Sequence, residues 1–245
     1  MTAFESAPIN RDLDGSAHRV PGLSSTRWTA LCAAAEAVGM TAAALAAKLA
    51  QRISGDAPQG RDAALALAVV VTGGLVEGIA LGVLQARGLR RLLPRFNVGR
   101  WVVVTAVVAG LGWAAASVPG VLGSDSGGDG PPLLVVLAGA VALGAVMGAV
   151  LGAVQALVLR GLVRRPGRWV LANVAGWPLA MTVIFVGATT PGSTWSIPAV
   201  TALGSVTGLV AGTVLGVITG RFLPGPDEIV QPHDGVPLRG RRGDK

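Results

Sequence analysis

Gly74-Leu-Val-Glu-Gly78-Ile-Ala-Leu-Gly82-Val-Leu-Gln85 decides the fold, because its spacing returns twice further along the chain. Gly144, Gly148, Gly152 and Gln155 repeat it, and Gly208, Gly212 and Gly216 repeat it again with Thr219 in the place of the amide. Each copy lies in a long apolar segment that runs into arginine: Arg87 and Arg90, then Arg160, then Arg221. At about 100° per residue the three glycines of a copy fall on one narrow stripe, which the glutamine continues. In lipid such stripes let two helix backbones approach closely, so packing replaces the hydrophobic force that drives association in water. The plain expectation is therefore three helix-packing seams. The sharper alternative is a central path lined by three glycine faces.

The composition agrees with a membrane setting. Half of the 245 residues are hydrophobic, 13% are charged, and the mean hydropathy is positive. A net charge of +7 in a soluble protein would suggest nucleic acid. Here the arginines cluster between apolar spans, where they hold loops on the cytoplasmic side, so no nucleic-acid partner is expected. Arginine stands for lysine almost throughout and Ala, Gly and Val abound, the usage of a high-GC bacterium. Cys32 is the one cysteine, so no intrachain disulfide is possible.

Residues 1–26 are polar, with Pro8 and Pro21, and read as a disordered cytoplasmic tail. A first span runs from Trp28 to about Gln51. Glu36 inside it opposes insertion by roughly 2–3 kcal/mol, but the long polar leader argues against a cleaved signal peptide. The turn-rich stretch from Ser54 to Asp62 leads to a second span, about Ala63 to Ala86, long enough at 1.5 Å per residue to cross about 30 Å of hydrocarbon. Arg87, Arg90, Arg91, Arg95 and Arg100 are expected in a short loop before the third span, which runs from Trp101 and fades at Pro119. Gly123 to Pro132 carries two acids and no base, an outer loop. The fourth span is about Leu133 to Leu159, followed by Arg160, Arg164, Arg165 and Arg168; the fifth runs from Trp169 to about Ala188; Pro198 opens the sixth, which ends at Phe222.

Arg27-Trp28, Arg100-Trp101 and Arg168-Trp169 open the odd spans, where Trp and Arg anchor helices at the interface. These pairs lie 73 and 68 residues apart. The repeating unit is thus a helical hairpin, entering on Arg-Trp and returning on the glycine stripe, at about 27–95, 100–165 and 168–222. Because each unit has two spans, the three repeats are parallel in orientation. The expected fold is all-α: a six-helix membrane domain, 27–223, of three tandem hairpins with glycine zippers in helices 2, 4 and 6, then a basic disordered tail, 224–245. The loops that hold arginine put both termini in the cytoplasm and the molecule in a bacterial inner membrane. The first loop, with Lys48, Arg52 and Arg61 against Asp56 and Asp62, dissents.

Two acids lie within the spans. Glu36 is nine residues beyond Arg27 and Glu77 ten before Arg87, so both sit about 13–15 Å from the inner interface, near the midplane. If they face each other, two ionised carboxylates repel in hydrocarbon, and at least one is expected to be protonated or to bind a cation. The corresponding positions of the other units are Ala109 and Trp177, and Met147 and Ala211, so the acids belong to one unit alone. The bland alternative is a neutral carboxyl bonded to a backbone carbonyl. Gln85, Gln155 and Asn173 join the acids as candidate ligand or proton sites, while Pro178 frees the carbonyl of Val174. Trp113 and Trp177 fit ordinary packing.

His18 and His233 lie in the tails, so no metal cluster and no cofactor are expected, and the helical glycines lack the strand and lysine of a nucleotide loop. The run Gly148-Ala-Val-Leu-Gly152-Ala-Val-Gln155, then Arg160 and Arg168-Trp169-Val-Leu-Ala-Asn173-Val-Ala-Gly176-Trp177, resembles a pattern in uncharacterised bacterial multi-pass membrane proteins. That resemblance implies no activity. The leading functional expectation is binding or passage (transport) of a small solute or ion, with Glu36 and Glu77 as its protonatable groups. The alternative is a structural or interaction subunit whose outward zippers, such as the one at Gly148, bind a second copy or a partner helix, with the arginine loops on anionic lipid. A third class is an intramembrane enzyme using the acid pair on a lipid or isoprenoid; the absent catalytic signatures weigh against it.

Overall fold

The computed structural model describes residues 23–54, 60–122, 131–192 and 194–231. Six long helices dominate it: α1 (Ser25–Ser54), α2 (Gly60–Leu92), α3 (Val98–Leu122), α4 (Leu133–Leu159), α5 (Gly167–Thr189) and α6 (Ile197–Gly220). All six are long and apolar enough to cross a membrane, which makes this an integral multi-pass membrane protein. Their outer faces carry exposed Val103, Leu111, Leu134, Val146, Leu157 and Leu171, side chains that belong in lipid rather than water.

Three of the helices, α1, α3 and α6, begin where a side chain satisfies one of their first N–H groups. Ser24 Oγ accepts from the Arg27 amide at 3.2 Å, Asn97 Oδ1 from Arg100 at 2.9 Å, and Ser196 Oγ from Ala199 at 3.4 Å. Pro198 stands in the first turn of α6, as expected. Two boundaries differ from expectation. α2 continues through Arg87, Arg90 and Arg91 to Leu92, because nothing in that run breaks a helix, so these three arginines lie on the helix and not in the loop before α3. α3 likewise runs past Pro119.

Consecutive helices pack in chain order, and α6 then packs along α1, closing a ring. The seam between α3 and α4 is the thinnest in that ring. The glycine stripes make the closest approaches. A Cβ added at Gly78 would lie 2.6 Å from the Ala106 Cα of α3, one at Gly148 2.6 Å from the Asn173 carbonyl oxygen of α5, and one at Gly216 2.6 Å from the Thr29 Cα of α1. Each stripe therefore faces the first helix of the next hairpin, and the last faces the first. Two expectations are corrected by this geometry. The stripes do not line a shared central path, and Gly148 is buried within the chain rather than presented outward.

The ends of the helices that carry Arg27, Arg87, Arg100, Arg160, Arg168 and Arg221 gather at one side. There the α4–α5 turn uses Gly161 at φ +78°, a left-handed conformation that glycine adopts without penalty. Residues 224–231, expected to be disordered, pair with that turn. Glu228 carbonyl accepts from Arg164 N–H at 2.8 Å, Val230 N–H donates to Leu162 carbonyl at 3.0 Å, and Arg168 forms an ion pair with Glu228. Ser25 and Thr26 are already helical. The outer loop at 123–130, most of the N-terminal tail and the tail beyond 231 lie outside the described residues.

Candidate functional site: an acid pair above a tryptophan layer

At the arginine-rich end the ring is filled by three indoles. Trp28, Trp101 and Trp169, from α1, α3 and α5, are 0%, 0% and 3% exposed. Trp169 lies between the other two, with ring centroids 5.7 Å from Trp28 and 5.8 Å from Trp101. The expectation that these residues anchor in the lipid interface is corrected: they are interior. An indole buried whole must place its N–H, and each does so on the polar residue that follows a glycine stripe. Trp28 Nε1 donates to Thr219 Oγ1 at 2.9 Å, Trp101 Nε1 to Gln85 Oε1 at 3.3 Å, and Trp169 Nε1 to Gln155 Oε1 at 2.8 Å.

The layer above is also fully employed. Four residues beyond each tryptophan stand Cys32, Thr105 and Asn173, one helical turn further in. Gln155 Nε2 donates to Thr105 Oγ1 at 2.8 Å, and Gln85 Nε2 points at Cys32 Sγ at 4.0 Å. Asn173 donates to the Trp169 carbonyl at 2.8 Å and accepts from Trp177 Nε1 at 3.1 Å. Gln85, Gln155 and Asn173 are thus brought together near one level, but their hydrogen bonds are spent within the protein.

The two acids sit one turn beyond that layer and meet. Glu36 of α1 is 1% exposed and Glu77 of α2 is 4% exposed, and the two side chains are neighbours across the α1–α2 seam. Gly39, one turn on from Glu36, makes the approach possible, since a Cβ there would lie 2.8 Å from the Glu77 Cα. Their situations differ. Glu77 Oε2 accepts from Trp113 Nε1 of α3 at 2.5 Å, whereas both oxygens of Glu36 are buried with no hydrogen-bond partner of good geometry among the described residues. Trp113 is the residue that sequence reasoning assigned to mere packing. Matching its depth with that of Glu77 would have found it.

Two cavities lie beside the acids, and the first reaches back as far as Thr105. One, of about 220 Å³, is bounded by α2, α3, α4 and α5, and Glu77, Thr105 and Ser117 lie on its mostly apolar wall. The second, of about 340 Å³, is bounded by α1, α3, α5 and α6 and includes Lys48, Gln51 and Thr207. Trp113 forms part of both, and Glu36 lines neither. Among the described residues no group of His, Cys, Asp and Glu has the makings of a metal site. What the arrangement offers chemically is a paired carboxylate able to hold a proton or a cation, set in hydrocarbon beside a chamber, with the basic end plugged by indoles. No protein-family model, curated protein or solved structure matches this chain.

Proposed function

We propose that the protein binds a small solute or ion and passes it across a bacterial inner membrane, with Glu36 and Glu77 as the protonatable or cation-holding pair. The observation that carries this reading is the Glu36 carboxyl, buried beside a second acid with neither oxygen in a hydrogen bond of good geometry among the described residues. Desolvating a carboxyl costs several kcal/mol unless it is neutralised or paired, so an arrangement of this kind is retained for what it binds. Its restriction to the first hairpin fits a specialised site in a scaffold otherwise built alike.

That scaffold we read as three tandem parallel hairpins arranged around a pseudo-threefold axis, with glycine zippers in α2, α4 and α6. The reading is supported by the three indole-to-polar bonds, which join α6 to α1, α2 to α3 and α4 to α5 in the same way. The arginines at one end support cytoplasmic termini, with both cavities toward the outer face and anionic lipid against the basic rim. The glycine faces are covered within the chain, which favours a solute-binding role over that of a zipper-docked subunit. The cavity touches Glu77 alone of the two acids, which favours binding over two-carboxyl chemistry.

Proteoliposomes loaded with a pH- or cation-sensitive dye test it. Imposed gradients should dissipate faster than in protein-free vesicles, and Glu36→Gln or Glu77→Gln should return the rate to the protein-free level. Unchanged flux in both variants sinks the idea.

A further inference from the structure

We propose that the 220 Å³ cavity is a receptor site for a hydrophobic organic cation, a quaternary ammonium with an aromatic or alkyl body, and that Glu77 is its counter-ion. The proposal rests on the reading of the acid pair as a cation-holding site and names its ligand. A metal ion or a hydrated inorganic cation needs several oxygen ligands, usually carboxylates, and this wall supplies one carboxylate, Glu77, with the hydroxyls of Thr105 and Ser117 scattered amid apolar side chains. What the wall does supply is aromatic: Trp113, Trp177 and Phe185 line it, and indole faces attract cations that carry little hydration. Size agrees as well, since an apolar cavity of about 150 Å³ already accepts benzene and this one is larger.

The walls also suggest how such a ligand arrives. The α3–α4 seam is the thinnest in the ring, and it is closed at this level by Met147, whose Cε would lie 3.2 Å from a Cβ at Gly112. A flexible thioether against a glycine is a door that yields, so a membrane-dissolved cation reaches the chamber sideways from lipid. Inside, it competes with Trp113 for the Glu77 carboxylate. Because Trp113 also borders the 340 Å³ cavity, a cation that takes Glu77 releases the indole between the two chambers.

The test uses the purified full-length protein in nanodiscs and two probes of one shape: benzyltrimethylammonium and its uncharged isostere, neopentylbenzene. Equilibrium dialysis should find the cation bound at least tenfold more tightly than the isostere. Glu77→Gln should remove that preference, and Gly112→Phe, which fills the seam without touching the acid, should slow or abolish binding of both. Equal affinity for the two probes, or a preference that survives Glu77→Gln in folded protein, overturns the proposal. Should proteoliposome flux depend on the acids while benzyltrimethylammonium fails to bind, the ligand class is wrong and the transport reading stands. Should the cation bind through Glu77 without any flux, the site stands and transport falls.

Discussion

Replacing Gln155 by leucine isolates the bond network on which the arginine-rich end of the ring depends. The amide is fully buried and holds two bonds of 2.8 Å, accepting from Trp169 and donating to Thr105. Leucine fits the space and deletes both. Thr105 is not orphaned, since its hydroxyl also donates to the Trp101 carbonyl at 2.8 Å, but the Trp169 N–H loses the partner seen in the structure. An unsatisfied buried donor costs about 1–3 kcal/mol, and side-chain bonds within membranes average about 0.6 kcal/mol. The expected loss is therefore about 2 kcal/mol, roughly a thirtyfold shift toward unfolding. Cys32 supplies the assay without engineering: it is the sole cysteine and is wholly buried, so a maleimide reports how often the helices separate. Trp169→Phe removes the donor instead, and the double variant closes a thermodynamic cycle, with an expected coupling of about 1 kcal/mol. A Gln155→Leu protein within about 0.3 kcal/mol of wild type, or strict additivity with Trp169→Phe, refutes the bridging role.

Further outcomes follow from single contacts. Gly148→Ala should destabilise by more than about 2 kcal/mol and Gly148→Leu should abolish folded protein in detergent, because a Cβ there meets the α5 backbone at 2.6 Å. Gly139→Ala, on the same helix but facing open space, should be neutral or stabilise by up to about 1 kcal/mol through helix propensity; equal losses at the two sites would contradict the packing described. Glu228→Ala should cost no more than about 1 kcal/mol, less at high salt, because Arg168 is substantially exposed. Thermal unfolding at two ionic strengths checks it. The flux of Glu36→Gln and Glu77→Gln proteoliposomes completes the set.

The helices were legible because lipid demands long apolar runs, and α4 begins and ends at the residues that hydropathy and the flanking Pro132 and Arg160 indicate. The shared depth of Glu36 and Glu77 is legible too, since it can be counted from flanking arginines on two helices of one hairpin, but depth alone leaves open whether the two side chains face each other. A stripe of glycines, by contrast, says which face is small and not what covers it. The pairing of each stripe with the next hairpin, and of α6 with α1, had no local signature. The tryptophans misled for a physical reason: an indole after arginine suits the interface and the interior equally, and only a polar partner at matching depth separates the two. Gln85, Gln155 and Thr219 were those partners, recognised as continuing the stripes but not matched to Trp101, Trp169 and Trp28. Residues 224–231 look like free chain because the Arg168–Glu228 pair spans sixty positions.

Ring closure sets an order of events during synthesis. Trp28 finds its hydroxyl partner 191 residues later, and Ser25 its carbonyl acceptor on Gly220 195 residues later. At about 5–20 residues per second, the first helix waits roughly 10–40 s for the last. Through that interval one flank of α1, the one that Gly208, Gly212 and Gly216 will cover, stands bare to lipid or to the insertion machinery. A different flank is covered early, by α2, which brings Glu77 beside Glu36. The acid pair is thus an early partnership in the life of the chain, formed by neighbours before the molecule has a closed shape, and a ribosome stalled ahead of α6 would display it in an open arc.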